Sequence, residues 1–382
     1  MKKSKLIRPY KKSNASGEVL RVWNGNLPQE WQLEDREFDR LISEVDNIAW
    51  IGRTQDAEDR SAFYYAFNDS DYTDVNWMVN HITLREGDMI ERGYNVHGVK
   101  SFNRNTWIDL IIESDSIEGI FENFDYDLLD FRAELRGKIA HDPSTKDFDV
   151  DLYFLKLLDQ YRKVQENNDS VLVNGKNQEY PISIETARHF IAFKYAYKCA
   201  KKYRYKTITP GEVAKIINNI SALFVGSEWY DRRQIPVYVN KNENYDLAKW
   251  APIDERQITS QLEALSTWIA ECTNINPIDK AAIAQVEFLR IHPYMDGNGR
   301  ISRILANFVL MLNGIPTVNI RHVDAERHFK ALNKAIEEHR VDDLIEMYHE
   351  QVLDSATKIS QCLDYIEKNQ TPKLPQKEER TR

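Results

Sequence analysis

The feature that most constrains the fold is a helical pattern that begins after Pro181 and continues through most of the remaining chain. Apolar residues recur there at i, i+3 and i+4, which is the spacing of one face of an α-helix. Asn276 and Pro277 mark one helix start, because they supply an N-cap and a proline at the first helical position. The predicted helices span residues 184–202, 210–225, 256–272, 277–291, 298–312, 324–338 and 341–364. The sequence therefore predicts a mainly α-helical protein.

Length, charge and cysteine content limit the class of protein. The chain has 382 residues and is 42% hydrophobic, which is enough for two or three structural units with substantial cores. Its 51 basic and 60 acidic residues give a net charge of -9, which argues against a general affinity for nucleic acid or anionic membranes. Cys199, Cys272 and Cys362 are far apart and match no metal-ligand spacing. We therefore expect a cytoplasmic protein with neither a nucleic-acid nor a membrane partner.

The chain divides into four predicted parts. Residues 1–18 form a basic tail that lacks the apolar segment of a signal peptide. Residues 19–181 form a mostly helical N-terminal region, in which residues 106–119 have helical spacing and end at a glycine. Residues 182–364 form a helical core. Residues 365–382 are rich in proline and charge, which is typical of a disordered tail.

One segment interrupts the helical pattern of the core. The run Arg233–Val239 is rich in strand-forming residues, and the run Asn240–Asn244 is rich in turn formers. This combination predicts a small β-hairpin at about residues 234–250.

The stretch from His292 to Arg303, HPYMDGNGRISR, contains more polar chemistry than a turn requires. A predicted helix ends at His292 and the next begins near Asn298, so the loop lies against a helix N-terminus, which attracts anions. Gly297 and Gly299 would let a phosphate approach the backbone without a side-chain clash. The loop is therefore a candidate phosphate-binding site.

Charged side chains around this loop extend the hypothesis. Arg300 and Arg303 are three residues apart on one helical face and can hold phosphate oxygens. Asp296 can hold a Mg²⁺ ion that bridges phosphates. His292 can be neutral at physiological pH and can accept a proton from an attacking hydroxyl. The set fits a nucleotide polyphosphate, although no P-loop lysine is present. The alternative is a capped turn with a core histidine and two surface arginines.

The stretch resembles the HxFx(D/E)GNGRxxR signature of Fic domains, and the similarity extends over about residues 182–352. This resemblance implies transfer of AMP from ATP to a Ser, Thr or Tyr hydroxyl of a protein target, with release of pyrophosphate and with Mg²⁺ as cofactor. By motif position, His292 is implied to be the general base and Asp296 the metal ligand. Tyr294 departs from the commoner phenylalanine, and its ring can pack in the same way.

The same resemblance assigns the phosphate-binding positions. Gly297, Asn298 and Gly299 are implied to form the anion cradle. Arg300 is implied to contact the phosphates and Arg303 the γ-phosphate, and the resemblance gives Asn298 and Arg300 catalytic roles beside the base.

A second motif lies far upstream. The run Ser114-Asp-Ser-Ile-Glu-Gly119 resembles the (S/T)xxxE(G/N) inhibitory motif of Fic proteins. Ser114 and Glu118 are one helical turn apart and share a face. The resemblance implies that Glu118 pairs with Arg303 and keeps ATP in an unproductive pose, with Gly119 completing the motif.

The predicted hairpin resembles the Fic flap, which holds a target segment by main-chain pairing at a strand edge. Its docking positions would be Ile235, Val237, Tyr238 and Val239. An ordinary surface hairpin is the alternative. Because main-chain pairing reads few side chains, the sequence does not identify the target.

Three functions remain open at this point. The first is an autoinhibited adenylyltransferase. The second is a de-AMPylase, in which Glu118 positions a water that removes AMP from a modified protein. The third is a nucleotide-gated interaction module, against which the histidine argues because binding alone needs no base. Transfer of another nucleoside monophosphate or of a phosphoryl group also remains open, as does a homodimer.

Overall fold

The computed structural model of the protein describes residues 12–13, 19–20, 47–51, 63–118, 184–204, 206–225, 232–237, 250 and 252–372. Over these ranges the fold is mainly α-helical, as predicted. Two small two-stranded antiparallel sheets accompany the helices. Within the same ranges, no helix combines the length and apolar character needed to cross a membrane.

The helices beyond residue 184 agree with the sequence prediction to within two residues, except at the end of the last helix. That helix runs to Asn369, so a disordered tail cannot begin at residue 365, and residues 373–382 lie outside the described ranges. The helices are α1 (Thr73–Glu91), α2 (His97–Ile117), α3 (Ile184–Tyr203), α4 (Pro210–Val225), α5 (Ile258–Glu271), α6 (Pro277–Ile291), α7 (Asn298–Leu312), α8 (Ala325–Glu337) and α9 (Asp342–Asn369), with 3-10 turns at Glu255–Gln257 and His322–Asp324. The strands are β1 (Lys12–Ser13), β2 (Val19–Leu20), β3 (Asn47–Ile51) and β4 (Phe63–Phe67).

Helices α6 and α7 form the centre of the molecule. Every residue of α6 from Ile278 onwards is buried, and α7 is buried from Arg300 to Leu310. Helices α3, α4, α5 and α9 pack around this pair. A helix that is buried on all sides belongs to the interior of a protein. The loop that joins α6 to α7 is therefore fixed at both ends.

Polar groups within this core are paired. The guanidinium of Arg290 donates to both carboxylate oxygens of Glu287, at 2.9 and 2.5 Å, and to Oε1 of Gln261 at 2.6 Å. The hydroxyl of Tyr65 donates to Glu287 at 2.7 Å. These bonds satisfy a buried ion pair and connect β4, α5 and α6.

The described part of the N-terminal region is mostly helical, as the sequence predicts, but it also contains a β-hairpin that the sequence analysis does not predict. Strands β3 and β4 pair antiparallel, with Asn47 opposite Phe67 and Ile51 opposite Phe63. The N–H of Ala66 donates to the carbonyl of His339 at 2.7 Å, which ties the hairpin to the turn before α9. The β4 side chains from residue 64 to 67 are all buried, so their apolar run lacks the alternation that marks a half-exposed strand.

Helix α2 is longer than predicted. It begins at His97 rather than near residue 106, and Glu118 is its C-cap residue. The missed half contains one glycine and two asparagines, which are weak helix formers. The predicted end agrees closely, although Gly119 itself lies outside the described residues.

Asn307 anchors α7 to the segment that follows it. Its Nδ2 donates to the carbonyls of Arg303 and Val318, at 3.1 and 3.2 Å, and its Oδ1 accepts from the N–H of Val318 at 2.8 Å. Asn307 is almost completely buried. Water therefore cannot replace these bonds.

We expect Asn307→Leu to destabilise the protein by roughly 2–4 kcal/mol, because it leaves the N–H and carbonyl of Val318 buried without partners. Denaturant unfolding followed by circular dichroism measures this change. The control is Asn313→Ala, which removes an exposed side chain with one bond to the Val309 carbonyl and should change stability by about 0.5 kcal/mol or less. Equal unfolding midpoints for the two variants would contradict the assignment.

Candidate active site

The loop between α6 and α7 has a fixed backbone shape. His292 ends α6 in the left-handed conformation, with φ 47° and ψ 61°, and Gly297 precedes α7 with φ 81°. The side chain of Asn298 closes the loop, since its Oδ1 accepts from the N–H of Tyr294 at 3.1 Å and its Nδ2 donates to the Tyr294 carbonyl at 2.8 Å. Asn298 therefore shapes the loop through its amide, a role that the motif alone does not reveal.

The two glycines of the loop sit against side chains from other helices. A Cβ at Gly297 would lie 2.5 Å from a ring carbon of Phe224, so its positive φ and its surroundings both require glycine. A Cβ at Gly299 would overlap the carboxylate oxygen Oε1 of Glu118. The first turn of α7, whose N–H groups have no partner within the helix, thus starts beside an acidic side chain.

Arg303 is bound by the end of α2, as the two motifs predicted. Its Nε donates to the hydroxyl of Ser114 at 2.7 Å, and its Nη2 donates to the Ser114 carbonyl at 3.0 Å and to Oε1 of Glu118 at 2.6 Å. Arg303 is buried, whereas the Glu118 side chain is 30% exposed. The structure therefore brings Arg303 together with two residues of a distant segment of the chain.

The charge of Glu118 is stabilised in this position. Burial raises the pKa of its carboxyl, but the guanidinium groups of Arg303 and Arg300 outweigh burial and hold the pKa below its usual value. Glu118 is consequently ionised at neutral pH.

Arg300 lies between two carboxylates and an aromatic ring. Its Nη1 is 3.9 Å from Oδ1 of Asp115, and its Nη2 is 3.8 Å from Oδ1 of Asp296. Its guanidinium carbon is 4.8 Å from the ring centre of Phe224, within the range of a cation–π contact. The motif therefore places both of its arginines at the N-terminal end of α7.

His292 is in its neutral form. Burial and, to a smaller extent, the charge of Arg233 lower the pKa of its imidazole to about 4, against the opposing effect of a backbone hydrogen bond with Leu289. A neutral imidazole can accept a proton, so the geometry suits a general base.

Arg233, which sequence reasoning missed, holds the loop from behind. Its Nε donates to the carbonyl of His292 at 2.7 Å. Its Nη2 donates to the carbonyl of Ile291 at 3.3 Å and to the carbonyl of Ile253. Its backbone N–H donates to the Pro293 carbonyl at 2.9 Å. Arg233 is buried. The dipeptide of two arginines before the predicted strand was visible in the sequence, but burial of one of them was not.

Asp296 is the candidate metal ligand. Its Oδ1 accepts from the N–H of Gly297 at 2.6 Å, and its side chain is 88% exposed. In the described ranges no three His, Cys, Asp or Glu side chains gather into a metal site. A single exposed carboxylate fits Mg²⁺, which commonly takes its other ligands from phosphates and water.

The flap positions are only partly described. Residues 232–237 form no strand, and Ile235 is 54% exposed while Val237 is partly buried. Tyr238 and Val239 lie outside the described residues. The docking role of these four positions therefore stays a prediction.

A second buried cluster, also missed by the sequence, lies beside the arginines. Nδ1 of His189, on α3, hydrogen-bonds Oδ1 of Asp115 at 2.8 Å, and both side chains are fully buried. Burial lowers the pKa of His189, and although Asp115 raises it, the net shift is downward. The neutral imidazole therefore donates Nδ1–H to the carboxylate of α2.

Comparison with known proteins identifies the domain. Residues 208–310 match the family model "Fic/DOC family". A protein adenylyltransferase fic-1 of Caenorhabditis elegans is 30% identical over 91 residues, which cover 23% of this chain and 18% of that protein. A protein adenylyltransferase Fic of Nematostella vectensis is 35% identical over 86 residues, covering 22% and 20%. The similarity therefore spans only a small part of these curated relatives.

A longer match and a solved structure agree with this domain. A probable protein adenylyltransferase of Aquifex aeolicus is 24% identical over 163 residues, which cover 42% of this chain and 48% of that protein. The crystal structure of a Fic domain containing signaling protein from Bacteroides thetaiotaomicron has the same fold, with a TM-score of 0.51 and 15% identity over 77% of this chain and 97% of that one. The similarity to the Fic/DOC family that the loop motif predicts is therefore confirmed for residues 208–310.

Proposed function

We propose that the protein is an autoinhibited adenylyltransferase, which transfers AMP from ATP to a Ser, Thr or Tyr hydroxyl of a protein target. The observation that carries this proposal is the carboxylate of Glu118 on the guanidinium of Arg303, 2.6 Å apart, at the start of an anion-binding helix. The relatives named as adenylyltransferases support the type of reaction. We place this activity in the cytoplasm, in agreement with three dispersed cysteines.

The chemical step needs one base and one leaving group. Neutral His292 accepts the proton of the target hydroxyl, and the hydroxyl oxygen forms a bond to the α-phosphorus of ATP. The bond from the α-phosphorus to the bridging oxygen breaks, and pyrophosphate leaves. Arg233 holds the His292 carbonyl at 2.7 Å, which keeps the imidazole in one place during the reaction.

The polyphosphate is bound by the start of α7. The N–H groups of the first turn and the positive end of the helix dipole attract it. Arg300 and Arg303 donate further hydrogen bonds to its oxygens. Asp296 would hold Mg²⁺, which would supply positive charge against the phosphate oxygens.

Repression follows from competition for one side chain. While Glu118 and Ser114 occupy Arg303, the γ-phosphate has no access to this guanidinium. The carboxylate also repels the phosphates. ATP then binds without the contact that aligns its α-phosphorus with His292.

The same contact favours a second function. A carboxylate held inside the site can also orient a water molecule, so Glu118 would serve a de-AMPylase as a catalytic residue. Loss of Glu118 distinguishes the two functions. It would increase adenylyl transfer, and it would abolish de-AMPylation.

We expect Glu118→Gly to raise adenylylation by about 5–150-fold, because a coupling free energy of about 1–3 kcal/mol is typical between competing ligands. The measurement follows label from α-labelled ATP, with Mg²⁺, onto the protein itself. Glu118→Gly combined with His292→Ala is the control and should give no label. Equal labelling of wild type and Glu118→Gly would reject repression, and loss of de-AMPylation in the single variant would favour the reverse reaction.

We expect His292 to stay neutral down to about pH 4 in the folded protein without nucleotide. Because the folded pKa lies below the ordinary value of about 6.5, the neutral form predominates at every pH above the folded value. An NMR titration of ring-labelled histidine measures the midpoint, and His292→Ala assigns the signal. The protein unfolded in denaturant provides the reference, with a midpoint of about 6.5. A folded midpoint at that same value would contradict the assignment.

A further inference from the structure

Helix α2 brings two carboxylates to the nucleotide site, and the inhibitory motif accounts for only one. Glu118 contacts Arg303 at 2.6 Å. Asp115, three residues earlier, lies 3.9 Å from Nη1 of Arg300. Residues three apart on a helix face the same side, so a single helix end meets both arginines of the loop motif.

Asp115 is held rigidly in this position. Its Oδ1 receives the hydrogen bond from His189 at 2.8 Å, and its Oδ2 has no hydrogen-bond partner among the described residues. Both side chains are fully buried. His189 also packs edge-on against Phe224, at a centroid distance of 5.4 Å, and the guanidinium of Arg300 lies over the same ring.

The guanidinium of Arg300 compensates the buried negative charge of Asp115. A buried carboxylate needs an opposite charge, and the neutral imidazole supplies a hydrogen bond but no charge. Among the described residues, Arg300 is a cation within 4 Å of Asp115, at 3.9 Å. With Glu118 on Arg303, the end of α2 therefore places two negative charges against the two positive charges that polyphosphate would use.

We propose that Asp115, positioned by His189, is a second inhibitory carboxylate that occupies Arg300 in the way that Glu118 occupies Arg303. This inference rests on the proposed function, because it assumes that Arg300 binds phosphate. It follows that loss of Glu118 relieves repression only in part, since Arg300 remains engaged by Asp115. Full release requires the whole end of α2 to withdraw from both arginines.

The test measures binding of MgATP by titration calorimetry in proteins that also carry His292→Ala, so that no nucleotide is consumed. Asp115→Asn keeps an oxygen that accepts the bond from His189 and removes only the charge. We expect this change to tighten MgATP binding by about 5-fold or more, both with Glu118 present and in the Glu118→Gly background. Asp115→Ala should shift the affinity in the same direction, which guards against an effect peculiar to the amide.

The matched control is Glu113→Gln. Glu113 lies on the same helix and carries the same charge, but its carboxylate accepts from the N–H of His322 at 2.8 Å. We expect this control to leave the affinity unchanged. A similar gain in the control would show a general charge effect and would overturn the inference.

Two other results would also overturn it. Unchanged affinity in both folded Asp115 variants would mean that Asp115 does not compete with phosphate. Weaker binding in the Glu118→Gly background would mean that Asp115 positions Arg300 for phosphate. Failure of the proposed function can be distinguished from failure of this inference. Absence of adenylyl transfer would leave the binding data valid. Absence of MgATP binding in every variant would overturn both the proposed function and the inference.

Discussion

The contact of Arg303 with the end of α2 joins the N-terminal region to the loop motif of the helical core. A buried guanidinium needs several acceptors, and Arg303 finds them in the Ser114 hydroxyl, the Ser114 carbonyl and the Glu118 carboxylate. The partners of Arg303 come from another helix. The position of α2 therefore determines whether the guanidinium of Arg303 is free to contact another group.

The remainder of the site is rigid around this contact. The loop is closed by the amide of Asn298, held from behind by Arg233 and supported from below by Phe224. Helices α6 and α7, which carry the loop, are buried on all sides. Glu118, in contrast, is a C-cap residue with a partly exposed side chain. The loop is thus preorganised, whereas Glu118 lies at a helix end, where helices fray most readily.

Sequence reasoning succeeded where a local pattern has a single physical meaning. The helices α3 to α9 follow from apolar spacing and from caps such as Asn276, whose side chain accepts from the N–H of Ile278. It failed for β4 because an apolar run that is buried from residue 64 to 67 shows no alternation. Arg233, Asp115 and His189 were missed for a different reason. Their roles depend on burial and on distant partners, which no spacing within a single segment displays.

Under the proposed function, Arg303 binds both Glu118 and the γ-phosphate, and this limits which mutations can increase activity. A mutation that removes this arginine would free the enzyme from Glu118 and at the same time deprive it of its phosphate contact, so it cannot yield an active, unrepressed enzyme under the proposed function. Alleles with a gain of activity should therefore map to the end of α2, whereas alleles in α7 should be losses. Under the proposed function, variation in regulation would thus be confined to a segment that is distant in sequence from the loop motif, although it contacts the same site.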